Sequence, residues 1–278
     1  MGQGEYSLKR LIVTADDFGS SLAANEAIEI AHREGILTTT CLMVSAPMAK
    51  DAIERAKKIP TLKIGLHVVV ARGFSILSNQ EIPDLVNKNN QFDRNLLRVG
   101  FRYFFLPRVR RQLSAEIRAQ FEAFKETGLT LDHANVHNHM HMHPTILKLI
   151  INIGQEYGLS AVRLPYEPGN WLFLIPLILL MKQRLRRSKI RFNDYIFGIR
   201  DTGQMNFKCL QRTIYSLPNG VSEIFLHPAT GLSDETDIEA SRFQFEEEFC
   251  ALIDPMIKEA VTKTGVQLIS FSDLNNQV

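Results

Sequence analysis

Cysteine is scarce. The chain has three, Cys41, Cys209 and Cys250, far apart and in no CxxC arrangement, so neither a disulfide framework nor a thiolate zinc site organises the fold. A reducing compartment is expected. Charge of one sign is also lacking: the formal net charge is +2, which argues against general nucleic-acid binding while leaving room for a local basic patch. The first ten residues contain no apolar stretch of the kind a secretory signal needs, and a cytoplasmic protein is expected. The longest apolar run, Trp171 to Met181, is interrupted by Pro176 and falls short of the roughly 20 residues that cross a bilayer. No internal repeat is visible. With 278 residues, 45% of them hydrophobic, the chain can bury the core of one large α/β domain or two smaller ones.

Histidine, in contrast, is concentrated. Of eight histidines, five (His133, His137, His139, His141 and His143) fall between Leu131 and Pro144. On an extended chain, His137, His139, His141 and His143 would present one row of imidazoles. Pro144 suits the first turn of a following helix, where its missing N–H has no partner to lose. A strand that carries histidines to its C-terminal end describes a metal site at the mouth of an α/β protein. The plainer alternative is a solvated, His-rich strand.

The flanking sequence alternates strand and helix signals. Leu11–Thr14 is a β-rich run leading into Ala15-Asp16-Asp17-Phe18-Gly19; a helix is predicted over 22–34 with Gly35 as its stop, a strand over 38–44, a helix over 47–58 and a strand over 63–70 carrying His67. This rhythm predicts parallel βαβ units. Residues 71–107 break it and read as a lid or substrate loop. A helix over 108–126 with Gly128 beyond its end precedes the histidine segment; a helix over 145–157 and a strand over 160–164 follow. Further on come a helix over 206–217, a strand over 221–226 ending in His227-Pro228, a long helix over 238–262 and a last strand over 266–270. Strand C-termini share one face of a parallel sheet, so Asp16-Asp17, His67, His227 and the histidine row would meet there. One aspartate and two histidines can hold a divalent metal with a position left open. Adjacent aspartates on a strand point to opposite faces unless the strand ends or bulges, so only one is a ligand by simple geometry. Plainer roles exist: either aspartate could cap a helix, His67 could be a core histidine, and His227 could shape a turn.

Trp171–Met181 is followed at once by Lys182–Arg191, which carries six basic residues. Two readings fit. One is a segment lying in an anionic headgroup layer, with Trp171, Leu172, Phe173, Arg184, Arg186 and Arg187 as contacts; the other is a core helix followed by a solvated basic turn.

Thr14-Ala-Asp-Asp-Phe-Gly19, Gly65-Leu-His67, His137-Asn-His-Met-His141 and His227-Pro228 occur in the order of the motifs of the YdjC-like carbohydrate deacetylases, the group that includes chitooligosaccharide deacetylase. The chain resembles that family over nearly its whole length. The 171–191 segment, Phe197-Gly198 and Gly220–Ala229 resemble, more narrowly, the hopanoid-biosynthesis-associated branch. The resemblance implies a single α/β domain, a distorted TIM-like (βα) barrel spanning 1–278, with a lid at 71–107 and an apolar/basic insert at 165–200. It implies hydrolysis of an N-acetyl group from an amino sugar; in the narrower branch the substrate would be an N-acetylglucosaminyl lipid, met peripherally at the inner face of a membrane. Asp17, His67 and His137 are the implied ligands of one divalent metal. Zinc suits two histidines and a carboxylate, with magnesium, manganese, cobalt and nickel open. Asp16 is the implied general base and His227 the implied general acid. Asn138 and the additional His143 depart from the family pattern, which leaves His139, His141 and His143 as supporting partners of the ligands or as substrate contacts. Arg163, at a strand end, would orient Asp16 or bind sugar hydroxyls. Amide hydrolysis needs an activated water, a polarised carbonyl and a proton for the leaving amine, which a metal, a carboxylate and an imidazole supply together. Competing readings are a deacetylase of soluble amino sugars or chitooligosaccharides, a phosphoesterase, and a membrane-associated binding or scaffold protein with a structural metal. Oligomeric state is left open.

Overall fold

The computed structural model describes residues 9–169, 174–231 and 242–274. The elements in chain order are β1 (Lys9–Phe18), α1 (Leu22–Glu34), β2 (Thr39–Leu42), α2 (Ala49–Lys57), β3 (Lys63–Val68), α3 (Leu96–Phe105), α4 (Pro107–Glu126), β4 (Leu131–Val136) and α5 (Pro144–Glu156). After these come α6 (Ile175–Arg187), β5 (Tyr195–Phe197), α7 (Phe207–Ser216), β6 (Gly220–Leu226), α8 (Phe245–Ile253), α9 (Pro255–Thr264) and β7 (Gln267–Leu268). All strand pairs are parallel, in the order β4-β3-β2-β1-β6-β5, with β7 also on β1. Two isolated parallel bridges, Ala134 to Val162 and Ala161 to Arg191, extend the ladder from β4 toward the chain entering β5. The sheet thus curls into a half-barrel closed by irregular chain, a distorted TIM-like α/β barrel in one domain.

Sequence dictates this locally. Leu11, Ile12, Val13 and Ala15 of β1 are fully buried, the near-continuous apolar run of a strand covered on both faces. α1 turns Ala24, Ala27, Ile28 and Ala31 inward, and its Ser21 hydroxyl accepts from the Ala24 N–H at 3.0 Å, satisfying a donor that the first helical turn leaves orphaned. Gly65 of β3 is required by packing: a Cβ there would fall within 2.7 Å of three ring atoms of His133. His133 is itself stacked on Phe271, with ring centroids 4.2 Å apart, and belongs to the core.

Several elements differ from the sequence reading. The stretch 71–107 contains α3, capped by the Asn95 side chain on Arg98 N; only 71–95 lacks a helix. That part is fastened down. Ile76 N and Leu77 N both donate to the buried Glu116 carboxylate of α4 at 2.9 Å, and Arg72 N, Ser75 N and Phe92 N bond back across the loop. Residues 165–200 are not wholly an insert, because β5 pairs with β6 within the sheet. Over 160–164 the chain makes only isolated bridges. The long helix expected over 238–262 is two helices, broken where Asp254 caps α9 and Pro255 removes an N–H; its start, 238–241, lies outside the described residues. Among the described residues no helix is long and apolar enough to cross a membrane.

Candidate metal centre

Backbone irregularity builds the site. The β1–β2 register shifts between Ala15 and Phe18, and Asp17 takes φ 63°, a left-handed conformation that costs an L-residue roughly 1–3 kcal/mol. The bulge carries both aspartates to the cleft, so adjacency does not separate them as a regular strand would. β4 likewise ends at Val136, and Asn138 and His139 are left-handed at φ 54° and 53°. This kink destroys the expected row of four imidazoles. His137 and His139 line the cleft; His141 is sealed in protein; His143 caps α5, its Nδ1 accepting from Thr145 N at 3.3 Å.

Three donor atoms converge. Asp17 Oδ1 lies 3.1 Å from His67 Nε2 and 3.3 Å from His137 Nδ1, and the two ring nitrogens are 3.2 Å apart. The protonation of His67 follows from its other side. The carboxylate of Asp16 can only accept, so the Asn135 Nδ2 that lies 3.0 Å from Asp16 Oδ1 is the donor. Asn135 therefore turns Oδ1 to His67 Nδ1 at 2.7 Å, and that nitrogen must carry the proton. In the neutral ring His67 Nε2 is then a bare lone pair facing a carboxylate oxygen that is buried and takes no well-formed hydrogen bond. Opposed lone pairs at 3 Å repel unless a cation lies between them. Separations near 3.3 Å are also the edges of a tetrahedron with bonds of about 2.0 Å, the length zinc makes to nitrogen and oxygen. Asp17, His67 and His137 thus fit a divalent ion. Burial disfavours the ionised form of Asp17, but positive charge at the imidazole positions, His137 first, outweighs it and holds the carboxyl well below its usual range.

Behind this triad lies a buried polar network. Arg163, fully buried, donates Nη1 to Asp16 Oδ2 at 2.6 Å and Nη2 to Asp16 Oδ1 at 2.8 Å. Its Nε and Nη2 also reach Glu223 Oε1 at 3.0 and 2.8 Å, an oxygen that accepts from Thr14 Oγ1 as well. Burial pushes Asp16 toward neutrality; the guanidinium beside it prevails and depresses its pKa strongly. Arg163 therefore orients Asp16 and is closed to sugar hydroxyls. Cys41 Sγ donates to Asp16 Oδ1 at 3.0 Å. Asp16, Cys41 and His67 form a second cluster of potential ligands, but burial and the Asp16 charge push the thiol far above its ordinary pKa, and His67 Nδ1 is already engaged by Asn135. That cluster supports the first. Replacing Asn135 with alanine frees the His67 ring, and zinc affinity is expected to fall about 10–100-fold, measured by competition with a chelator. Unchanged affinity would refute the tautomer assignment.

His227 approaches from the opposite wall, with Nε2 3.9 Å from Asp17 Oδ2. Its backbone N–H donates to Glu248 Oε2 at 2.6 Å, and its ring packs between those of Phe225 and Phe243. Burial, with the Arg163 charge second, pushes His139 down to about 3, so it stands in the cleft wall as a neutral ring. The cleft, about 960 Å³, is also lined by Arg72, Phe74 and Arg94. A separate apolar cavity of about 540 Å³ opens between α3 and α6, and Asn138 and His139 wall both spaces. Trp171, Leu172 and Phe173 lie outside the described residues. Of the expected headgroup contacts, Arg184 instead braces the Pro144 carbonyl at 2.9 Å, while Arg186 and Arg187 are exposed and Arg186 sits 5.9 Å from the Phe192 ring centre.

Fold and site define a class: curled parallel α/β barrels that gather a carboxylate and two imidazoles at their strand ends. The chain belongs to the YdjC-like protein family, which matches residues 10–263. It is 31% identical to a carbohydrate deacetylase of Brevibacillus brevis over 95% of this chain and 99% of that one. It is 30% identical to a carbohydrate deacetylase of Geobacillus stearothermophilus, over 94% and 96%. Its fold is similar to the crystal structure of an Enterococcus faecalis protein named for cellobiose-phosphate cleavage (TM-score 0.76, 23% identity, 95% and 98% covered).

Asn135, Cys41 and Glu223 are functional residues that sequence reasoning missed. For Asn135 a signal existed, since two positions before His137 on a strand is the same face. A lone cysteine or glutamate inside a strand carries no such spacing.

Proposed function

We propose that this protein is a carbohydrate deacetylase, a hydrolase of amide C–N bonds, whose amino-sugar substrate is carried on an apolar lipid such as the N-acetylglucosaminyl lipid of hopanoid biosynthesis. The deacetylase reading is supported by relatives that match almost end to end and by a site with the required parts. The lipid-linked reading is carried by one observation: the apolar 540 Å³ cavity shares a wall, Asn138 and His139, with the polar cleft. An aglycone can lie in one while the sugar lies in the other.

Asp17, His67 and His137 would hold a divalent ion, which when bound would supply Lewis acidity toward the amide carbonyl. Asp16 takes a proton from the attacking water at Oδ2, which receives only one donor, Arg163 Nη1, whereas Oδ1 receives three. Arg163 keeps Asp16 ionised and so ready to accept, although a carboxylate held below its usual range is a weaker base. His227 Nε2, beside Asp17 on the open side of the cleft, delivers a proton to the departing sugar nitrogen. Phe74 and Phe243 offer apolar faces to the ring, and Arg72 and Arg94 offer donors for its hydroxyls.

The second reading, a free amino sugar or chitooligosaccharide, is favoured by the size of the polar cleft, which is ample without the cavity. Acetate release by zinc-loaded protein separates the two. Turnover of a detergent-dispersed N-acetylglucosaminyl lipid, at least about 10-fold above N-acetylglucosamine and chitobiose in kcat/KM, is the expected outcome. Equal or better turnover of the free sugars would establish the second reading.

A further inference from the structure

The outer face of α3 is unusual for a helix at a protein surface. Leu97 is 88% exposed, Phe101 62%, Phe105 58% and Phe104 47%, and the three phenyl rings form a cluster with centroids 4.6 and 4.9 Å apart. α6 adds Leu179, 59% exposed, with Ile175 and Leu180. Three of them, Leu97, Phe101 and Ile175, also wall the apolar cavity, together with Ile178 of α6. Large apolar side chains grouped in this way mark an interaction surface rather than the scattered exposure of an ordinary helix.

Charge indicates what covers it. From Arg94 to Ala115 the chain carries six arginines, Arg94, Arg98, Arg102, Arg108, Arg110 and Arg111, and no acidic residue. Arg98, Arg108, Arg110 and Arg111 are exposed; Arg98 lies on α3 itself and Arg110 donates to the Phe104 carbonyl at 3.3 Å, while the partners of Arg98 and Arg108 are Asp93 and Asp84 from the neighbouring loop. An aromatic stripe edged by arginines suits a bilayer with an anionic surface, which accepts the rings below its headgroups and the guanidinium groups among them. A protein partner, or a second copy of this chain, would have to present an apolar groove rimmed by acid.

We propose that the outer faces of α3 and α6 dock this protein on an anionic lipid bilayer, with the mouth of the apolar cavity at the membrane surface. α3, with Leu97, Phe101, Phe104 and Phe105, is the principal contact. The inference deepens the lipid-linked reading and rests on it, since docking brings a membrane-anchored aglycone to the cavity while the sugar reaches the metal centre. It adds a helix within the 71–107 stretch as the principal membrane contact, beside the apolar run that begins at Trp171 and supplies Ile175, Leu179 and Leu180 of α6.

The test measures binding and involves no turnover. Purified full-length protein is sedimented with vesicles of phosphatidylcholine alone and of phosphatidylcholine with 30% phosphatidylglycerol (about one third anionic lipid, a typical polybasic target). Wild type is expected to bind the anionic vesicles at least about 10-fold more tightly than the neutral ones, less so as salt rises. The double variant Phe104→Ser/Phe105→Ser, outside both cavities, should lose about 10-fold or more of that binding while keeping its melting temperature and its rate on detergent-dispersed substrate. Arg110→Glu/Arg111→Glu should lose the preference for anionic lipid. Wild type that stays in the supernatant with both kinds of vesicle, or a Phe104→Ser/Phe105→Ser protein that binds as well as wild type, overturns the proposal. So does a concentration-dependent dimer in analytical ultracentrifugation that the same variant abolishes, because the face then belongs to a second copy. Docking can fail in this assay while lipid-linked turnover in detergent survives, and the converse, so the two readings are judged separately.

Discussion

Replacing His137 with alanine is expected to leave a folded protein that holds little zinc and releases acetate about 10³-fold more slowly. The magnitude follows from what the ion supplies. Charge stabilisation at a carbonyl by a Lewis acid is worth several kcal/mol of barrier, and about 4 kcal/mol is roughly 10³ in rate. His137 is the most informative ligand to remove, because it lies outside the Asp16–Asn135–His67 relay. Its loss leaves the lone pairs of His67 Nε2 and Asp17 Oδ1 facing each other at 3.1 Å, where two donors hold an ion far less well than three. Elemental analysis and an acetate assay on the same preparation check the result. A variant with full zinc content and a full rate would remove His137 from the centre.

The second large effect concerns stability. Arg163→Met should lower unfolding free energy by about 3–5 kcal/mol, the usual cost of deleting one partner of a buried ion pair. For a chain of this size that corresponds to a fall in melting temperature of about 10 °C. The variant strands two buried carboxylates, Asp16 and Glu223, which now share one guanidinium. Adding Glu223→Gln to Arg163→Met removes one of the orphaned charges and should return part of the loss. Thermal unfolding of the single and double variants measures this; a single variant as stable as wild type would contradict the network. Activity should fall in both, since Asp16 loses its orienting partner.

Much of the site was legible because its members are punctuation at strand ends. The run Leu11–Thr14 before Asp16-Asp17, Gly65-Leu66-His67, and the β6 run before His227 place three groups on one face of any parallel sheet. Pro144 at the start of α5 and Gly35 at the end of α1 follow local rules, and both elements lie where those rules place them. The histidine segment was legible in composition and misleading in geometry. Period-two alternation assumes an extended chain, and the left-handed Asn138 and His139 are a tertiary outcome, imposed where β4 must turn into α5. The supporting partners Asn135, Cys41 and Glu223 are defined by hydrogen bonds across strands, a relation that no spacing along one strand encodes. α3 was read into the irregular stretch before it because its ten residues follow that stretch with only the Asn95 cap between them, and only Val99 and Tyr103 of its apolar side chains are buried.

The converging ligands come from different strands: Asp17 from the bulge in β1, His67 from β3 and His137 from just past β4. No single stretch of chain contains the centre: in an unfolded chain the tract from His137 to His143 keeps its imidazoles but has neither Asp17 nor His67 beside it. An ion that binds the folded centre more tightly than that tract adds the difference in binding free energy to the stability of the whole fold. The supply of the ion would then influence how long the protein persists as well as how fast it works, and a cell starved of that metal would turn the folded but less stable polypeptide over faster while losing its activity.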